Sequence, residues 1–431
     1  MKFFLVGIKG SGMAALALYL KKSGFNVVGI DIENYVYTQD ELIENNIEIY
    51  SLEYKILDYV DFVIIGHSFV GKNLEIINQA KKENIPIYEY HEFLNKIQDK
   101  YLESVAISGS HGKTTMTKLL QHCLNYENSV SSLVGDGTSC VETKKDYFVF
   151  EACEYQNHYL KYIPKDIIIL NIDYDHNDYF KSFSEYQKSF IKFSDNALNN
   201  VFIHEDYNIL NKNNVFTFGR NKESNFSAQN IELKDDGYIF DFYVKNQKIV
   251  NVKTKFYGDF MIDMCIAMLG YAYIHNFNID EVVKRIPYFG GVKKRNQEII
   301  INDDIYLIDY AHHPSQIVAM IKMCRNKYKD RKIVAVYKPD RYSRVQQFYK
   351  EIAQNLQLAD LAYVDDFPST SIKDIDGNIG IDDIIKIDEK RIKPFKEIKK
   401  NEINSNKYYV FLLMSSKDVL PILKKIEKLR L

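Results

Sequence analysis

The sequence predicts an α/β protein of three successive units, residues 1–100, 101–297 and 298–431. Two observations predict the class. Short apolar runs alternate with helix-period stretches along the whole chain, and the polar and glycine residues cluster where those runs end. At 431 residues the chain exceeds a single core of about 100–200 residues, so several units are needed.

In the first unit, Lys2 to Ile8 is an apolar run that reads as a buried parallel strand, followed by the turn GIKGSGM and a helical pattern from Ala14 to Lys22. Lys9 stands where a dinucleotide-binding G-x-G-x-x-G carries its second glycine, which points away from NAD. A second strand, Asn26 to Ile30, ends in Asp31, at the distance where such a unit presents an acid to a ribose. A strand in DFVIIG (Asp61 to Gly66), a helix around Leu74 to Glu83 and a strand in IPIYEY (Ile85 to Tyr90) complete a small doubly wound domain for a nucleotide-like group.

The second unit opens on SVAISGSHGKTTMT, Ser104 to Thr117. A strand at Val105 to Ile107 feeds the turn Gly109-Ser110-His111-Gly112, and a helix starts near Thr114, so backbone amides and the positive helix end converge on an anion. Lys113 is placed to reach β- and γ-phosphates, and Thr114 or Thr115 to offer a hydroxyl to Mg2+. The generic G-x-x-x-x-G-K-[ST] pattern is incomplete, because Ile107 occupies its first glycine position. Two further apolar runs, YFVFEACEY (Tyr147 to Tyr155) and IIILNIDYDHNDYF (Ile167 to Phe180), end in Glu151, Asp173, Asp175 and His176, at the carboxyl end of the sheet where hard ligands for Mg2+ are needed. Singly, Asp175 reads equally as a helix cap and His176 as a loop histidine. Residues 200–260, with segments such as Gly237 to Val244, predict antiparallel strands. Met261 to His275 predicts a helix. Lys293, Lys294 and Arg295 read as a solvated cluster or as a clamp on phosphate.

The third unit begins near Glu298. Its strands are predicted at Ile305 to Ala311, Lys332 to Lys338, Leu361 to Asp366 and Tyr408 to Met414, with Asp309, His312, His313, Arg341 and Arg344 at the strand ends. Lys399 to Lys407 reads as a solvated connection.

Composition narrows the function. A net charge of −2, from 56 basic and 58 acidic residues, gives no field for nucleic acid or an anionic membrane. Five scattered cysteines, an odd total without C-x-x-C, argue against both a disulfide framework and a structural zinc site, and fit a reducing cytoplasm. The N-terminal run FFLVGI is too short for a signal or a membrane span.

Taken together, GIKGSGM, SGSHGKTTMT, VGDGT, FVFEACEY, NIDYDHNDYF, FGGVKKR, DYAHHPSQI and RYSR, in this order and spacing, resemble the Mur ligases across essentially the whole chain, and most the members that join L-alanine to UDP-N-acetylmuramate. The resemblance implies a cytoplasmic enzyme, a monomer or weak homodimer, with a Rossmann-like N-terminal domain, a central P-loop ATPase domain and a Rossmann-like C-terminal domain. Its substrates would be UDP-N-acetylmuramate and L-alanine, with ATP and Mg2+, no nucleic acid and no membrane insertion. Gly10, Ser11, Gly12, Met13, Asp31 and Ser68 would bind the UDP-sugar. Gly109, Ser110, His111, Gly112, Lys113, Thr114, Thr115 and Arg295 would bind ATP. Thr114 and Glu151 would hold its Mg2+, and His176 a second metal near the muramyl carboxylate. Lys113, His176, Asp309, His312 and Arg344 would carry the chemistry.

The chain departs from the family at three places. GDHNVLNAL, at the adenine end of ATP, reads GDFMIDMCI, with Phe260, Met261 and Met264 in place of histidine and asparagines; FQPH reads YKPD (Tyr337 to Asp340); and MGAGD reads MSSKD (Met414 to Asp418). Two alternatives follow from the sequence: a member using a peptide acceptor, or a non-catalytic paralogue that binds nucleotide or UDP-sugar.

Overall fold

The computed structural model describes all residues except 56, 127, 294, 369–378, 404–406 and 431; Lys294 and part of the Lys399 to Lys407 connection therefore lie outside the described residues. The architecture is α/β in three domains, and the chain packs as two compact units. One comprises Met1–Ile172, Gln187–Phe226 and Ala267–Arg285, the other Asp173–Tyr186, Ser227–Ile266 and Ile286–Leu431.

The first unit holds two parallel-rich sheets. Strands β1 (Lys2–Val6), β2 (Asn26–Ile30), β3 (Glu48–Tyr50), β4 (Phe62–Ile65) and β5 (Ile87–Glu89) are all parallel, in the order β3-β2-β1-β4-β5. This is the doubly wound arrangement that the apolar runs predict, because strands covered on both faces must be apolar throughout. The helix Ser11–Lys22 buries every residue from Met13 to Leu20. It packs against β2 on one side and, on the other, against β7 (Val130–Leu133) and β8 (Ser139–Cys140) of the second sheet. That double burial accounts for the small residues Ala14, Ala15 and Ala17 among its leucines, since only short side chains admit two layers at once.

In the second sheet, β6 (Glu103–Ser108), β9 (Tyr147–Glu151), β10 (Asp166–Ile169), β11 (Asn200–His204) and β12 (Val215–Gly219) run in the order β12-β11-β10-β6-β9-β7-β8, parallel except for the last pair. The expectation of antiparallel strands over 200–260 is corrected for its first part. Residues 200–219 are parallel strands, paired through Val201–Val215 to His204–Phe218.

In the second unit, β13 (Phe226–Lys234), β14 (Gly237–Val244) and β15 (Gln247–Lys253) lie side by side, with β14 and β15 antiparallel. Strands β16 (Gln297–Ile301), β17 (Asp304–Asp309), β18 (Lys332–Tyr337), β19 (Leu361–Val364), β20 (Ile392–Pro394) and β21 (Tyr409–Met414) form a sheet ordered β16-β17-β21-β18-β19-β20. Only β16 is antiparallel. The last strand enters the middle of the sheet, where all six of its residues are buried. Its register sets Met414 beside both Asp309 and Tyr337. Three loops thereby meet at one carboxyl edge, those after Asp309, Tyr337 and Met414, although they are far apart in sequence. No helix among the described residues is long and apolar enough to cross a membrane.

Candidate active site

In the first unit, β6 runs into the glycine turn and the helix Lys113–Leu124. Gly112 caps that helix at φ +84°, a conformation that costs glycine little and a residue with a Cβ about 1 kcal/mol or more. The turn is braced from β10: Asn171 Oδ1 accepts the His111 amide (2.8 Å), its Nδ2 donates to the His111 carbonyl (3.1 Å), and its backbone carbonyl accepts the Ser110 amide (3.2 Å). Gly109 lies against this brace, and a Cβ there would stand 3.1 Å from the Asn171 amide nitrogen. Thr114 is buried and Thr115 half-buried.

Lys113 turns back over the loop. Its ammonium donates to the Gly109 and Ser110 carbonyls and to Glu154 at 2.8 Å, a carboxylate with no exposed surface. Burial pulls the ammonium's pKa down, but the negative charge of Glu154, supported by Glu151, outweighs it and leaves Lys113 firmly protonated. Glu154 was not among the expected residues. Its signal was present in EACEY, a second acid three residues beyond the strand-end Glu151.

Glu151 pairs with Ile107 across β6 and β9, next to the phosphate turn. One of its oxygens accepts the Gly135 amide at 2.5 Å, and a Cβ on Gly135 would collide with the whole carboxyl group. The glycine of VGDGT is therefore a space requirement of Glu151. Asp136 in the same loop accepts Lys118 at 2.6 Å and caps Thr138.

The N-terminal turn places Gly10 and Ser11 at the surface, Gly12 half-buried and Met13 inside, at the start of the helix Ser11–Lys22, which has no side-chain cap. Such a helix end suits an anion. Ser68 is exposed beyond β4. Asp31, read from sequence as a ribose ligand, is buried here. Its oxygens accept the amides of Lys9 (2.6 Å) and Ile32 (2.7 Å), so the carboxylate fastens the turn. Lys9 in turn donates to the Ile32 and Asn34 carbonyls, which fixes a lysine where a glycine was wanted.

In the second unit, Arg344 is the centre of a buried ionic cluster. Its guanidinium donates to Asp340 (2.6 Å) and to both oxygens of Asp175 (3.1 and 3.2 Å). Burial would raise the Asp340 carboxyl, but Arg344 and His312 override it and hold it near 2. Asp175 also accepts the His176 amide at 2.8 Å, and His176 takes a left-handed backbone, φ +58°. Arg341 reaches Asp178 at 3.1 Å, and Asn177 donates to the Ser343 carbonyl. Asp175 and Asp178 of NIDYDHNDYF and the two arginines of RYSR, read separately in the sequence, are thus ion-paired. Arg344 lies in the first turn of the helix Tyr342–Leu356, where it is buried.

His312 lies in the same cluster. Burial, then the charge of Arg344, push its imidazole down to about 3 against the pull of Asp340 and Asp175. The neutral ring donates Nδ1–H to the Tyr310 carbonyl at 2.8 Å, and Nε2 faces Asp175 at 4.0 Å. His313 caps the helix Pro314–Lys327 and contacts the Ser315 hydroxyl, which donates to Asp173 at 3.0 Å. Asp309 is buried. Burial pushes its carboxyl pKa up, opposed by Arg295 and by the amides of Asn296 and Ala311, each at 2.7 Å. Arg295 stacks over the Tyr310 ring at 4.1 Å.

The departures from the family pattern have definite places. Phe260 packs partly buried against the core of the C-terminal sheet, and Met261 and Met264 are buried, so all three are apolar packing positions. Asp340 of YKPD binds Arg344, and Ser416 of MSSKD donates to the other Asp340 oxygen.

Three family models match in succession: "Mur ligase family, catalytic domain" over residues 2–101, "Mur ligase middle domain" over 107–269, and "Mur ligase, glutamate ligase domain" over 295–394. Among solved structures, the chain is similar to the UDP-N-acetylmuramate-alanine ligase MurC of Thermotoga maritima (TM-score 0.79, 22% identity, 99% of this chain and 98% of that one). It is also similar to a murein peptide ligase of Psychrobacter arcticus (0.70, 19%, 100% and 98%) and to the MurF ligase of T. maritima in complex with ADP (0.63, 15%, 94% and 95%). At these identities the structures establish the fold, and the three collinear family models establish the lineage: the chain belongs to the Mur ligase family.

Proposed function

We propose that this chain joins L-alanine to UDP-N-acetylmuramate in peptidoglycan precursor synthesis in the cytoplasm, coupled to cleavage of ATP, with domains at 1–100, 101–297 and 298–431. Mur ligases are ATP-dependent ligases that form C–N bonds, and the three family models, over residues 2–101, 107–269 and 295–394, follow one another in the same order as these domains. The observation that carries the reading is Lys113. It is an enclosed, protonated ammonium at a helix N-terminus behind a glycine turn, with Glu151 at the end of the next strand.

Turn amides of Gly109 to Gly112, the Lys113 ammonium and Thr115 bind the phosphates, and Arg295 contributes a second cation. Thr114 and Glu151 are the oxygen donors for Mg2+. The Gly135 space reserved for the Glu151 carboxylate supports that fit, and His176 is the ligand proposed for a second ion. When bound, Mg2+ supplies neutralisation of phosphate charge.

A carboxylate is a poor acyl donor. In the proposed reaction the muramyl carboxylate oxygen attacks the γ-phosphorus and ADP departs. The amine of alanine then attacks the acyl phosphate carbon, and phosphate leaves as the amide forms. Lys113 stabilises charge on the transferring group. The neutral His312 nitrogen and the Asp309 carboxylate orient the amine and accept its proton, and Arg344 fixes Asp175 beside them. Gly10 to Met13 and Ser68 hold the sugar nucleotide, with Asp31 bracing their turn.

The test is phosphate release by the purified protein with Mg-ATP and UDP-N-acetylmuramate, with L-alanine, with a tripeptide or with no acceptor, repeated with GTP. Release that requires alanine is expected. Preference for the tripeptide would replace this reading with the peptide-adding one. Sugar-nucleotide binding without release from either triphosphate would mean a non-catalytic paralogue.

A further inference from the structure

At the opposite end of the second sheet from the phosphate turn, three side chains from separate elements converge. Glu103 opens β6, Asp166 opens the neighbouring parallel strand β10, and His275 follows the helix Asp259–Ile274, to which its amide bonds through the Tyr271 carbonyl. One ligand atom from each lies within 4.8 Å of the other two. Asp166 has no exposed surface. Its Oδ1 accepts both the backbone and the side-chain N–H of Asn200 (3.0 and 2.9 Å), whereas its Oδ2 is buried with no hydrogen bond. That oxygen stands 2.9 Å from His275 Nε2, which is also buried and makes no hydrogen bond. Glu103 Oε2 is the third such atom, while Lys165 stands 3.9 Å from the other Glu103 oxygen.

Two carboxylates brought together out of water repel, and buried charge is costly unless it is well compensated. A cation between them removes both penalties. From this convergence of three residues, each of which carries a buried donor atom without a hydrogen bond, we infer that Glu103, Asp166 and His275 form a structural site for a divalent transition-metal ion of the zinc class. Imidazole with two carboxylates suits zinc, whereas Mg2+ favours all-oxygen shells. Two donors each about 2.0–2.1 Å from one ion lie roughly 2.8–3.4 Å apart, the range in which Asp166 and His275 are found. The ring of Tyr271 stacks on the imidazole at 4.2 Å and that of Tyr147 meets it edge-on at 5.9 Å, which fixes its plane. Bound metal would clip the end of the helix to the start of two sheet strands, so its binding energy would appear as stability.

The full-length protein is stripped with chelator, equilibrated with Zn2+ or Co2+ in magnesium-containing buffer without nucleotide, and desalted. Elemental analysis is expected to find one zinc per chain, Co2+ to give a visible ligand-field spectrum, and zinc to raise the melting temperature. His275→Gln and Glu103→Gln are each expected to weaken zinc binding at least tenfold and to abolish the spectrum and the thermal shift. Glu103 is partly exposed, so the second variant keeps the fold if the first does not. Absence of stoichiometric zinc, or zinc retained equally by a folded Glu103→Gln variant, overturns the inference.

Discussion

The Ser416 hydroxyl donates to Asp340 at 2.6 Å, on the oxygen opposite the one that holds Arg344. The family stretches FQPH and MGAGD carry histidine and alanine at these two positions, so two departures far apart in sequence meet in space. Ser416 thereby fixes the carboxylate that fixes the arginine. Ser416→Ala should lower stability to denaturant by about 1.5–3 kcal/mol, the usual worth of a hydrogen bond to a charged group. Asp340→Ala should cost about 3–5 kcal/mol, because Arg344 stays buried with Asp175 as its remaining acid. In the double variant the serine penalty should nearly vanish. A full, additive penalty would show that the two residues are not coupled.

Glu154 is the counter-charge of Lys113 in the nucleotide-free protein. Phosphate would take over that role on binding. Glu154→Gln should therefore destabilise the free protein more than the Mg-ATP complex, and Mg-ATP should raise the melting temperature of the variant by more than it raises that of wild type. An equal shift in both proteins would mean that Glu154 does not hand its lysine to the nucleotide. Lys113→Ala should lower kcat by about 10²–10³ with UDP-sugar affinity nearly unchanged. A fall in affinity as large as the fall in kcat would refute the assignment of the sugar to residues 1–100.

Gly135→Ala tests the metal donor. The added Cβ overlaps the Glu151 carboxyl group, so that side chain must leave its position. The Mg2+ concentration for half-maximal phosphate release should rise at least tenfold, while UDP-sugar binding stays as it was. An unchanged Mg2+ requirement would remove Glu151 from the metal site.

The strands and the phosphate turn were legible in the sequence because their signals are local. Asn26 to Ile30 and Lys332 to Tyr337 are continuous apolar runs, and Gly109 to Thr115 announces its chemistry within seven residues. Partnership was not legible. Nothing within YKPD or MSSKD says that Asp340 meets Ser416, because a parallel register brings those loops together only once β21 enters between β17 and β18. The part Asp31 plays in its own turn was not legible for a related reason. A strand-end acid has the same sequence signature whether it faces a ligand or, as here, its own turn. The edge strands β16 and β20 were missed because Gln297–Ile301 and Ile392–Pro394 are short and mostly half-buried or exposed, which weakens the apolar signal.

His312 sets an acid limit on the fold. Its imidazole titrates near 3 in the folded chain and near 6.5 when unfolded, so between those pH values the unfolded state binds the extra proton. Stability attributable to this residue is thus fully present above about pH 6.5 and is lost as pH falls toward 3, with a slope of up to about 1.4 kcal/mol per pH unit. His158, pushed down to about 4 mainly by burial, adds a loss of the same sign over part of that range. Asp340 adds its own only below the ordinary aspartate range, as pH falls toward 2. Denaturant unfolding from pH 7.5 to 4.5 isolates the histidine contribution. His312→Gln keeps a side-chain amide able to donate to the Tyr310 carbonyl but cannot titrate. Its stability should fall less steeply with acid than that of wild type, by about one proton's worth across the window. Parallel curves for the two proteins would show that His312 is not held neutral by its burial beside Arg344.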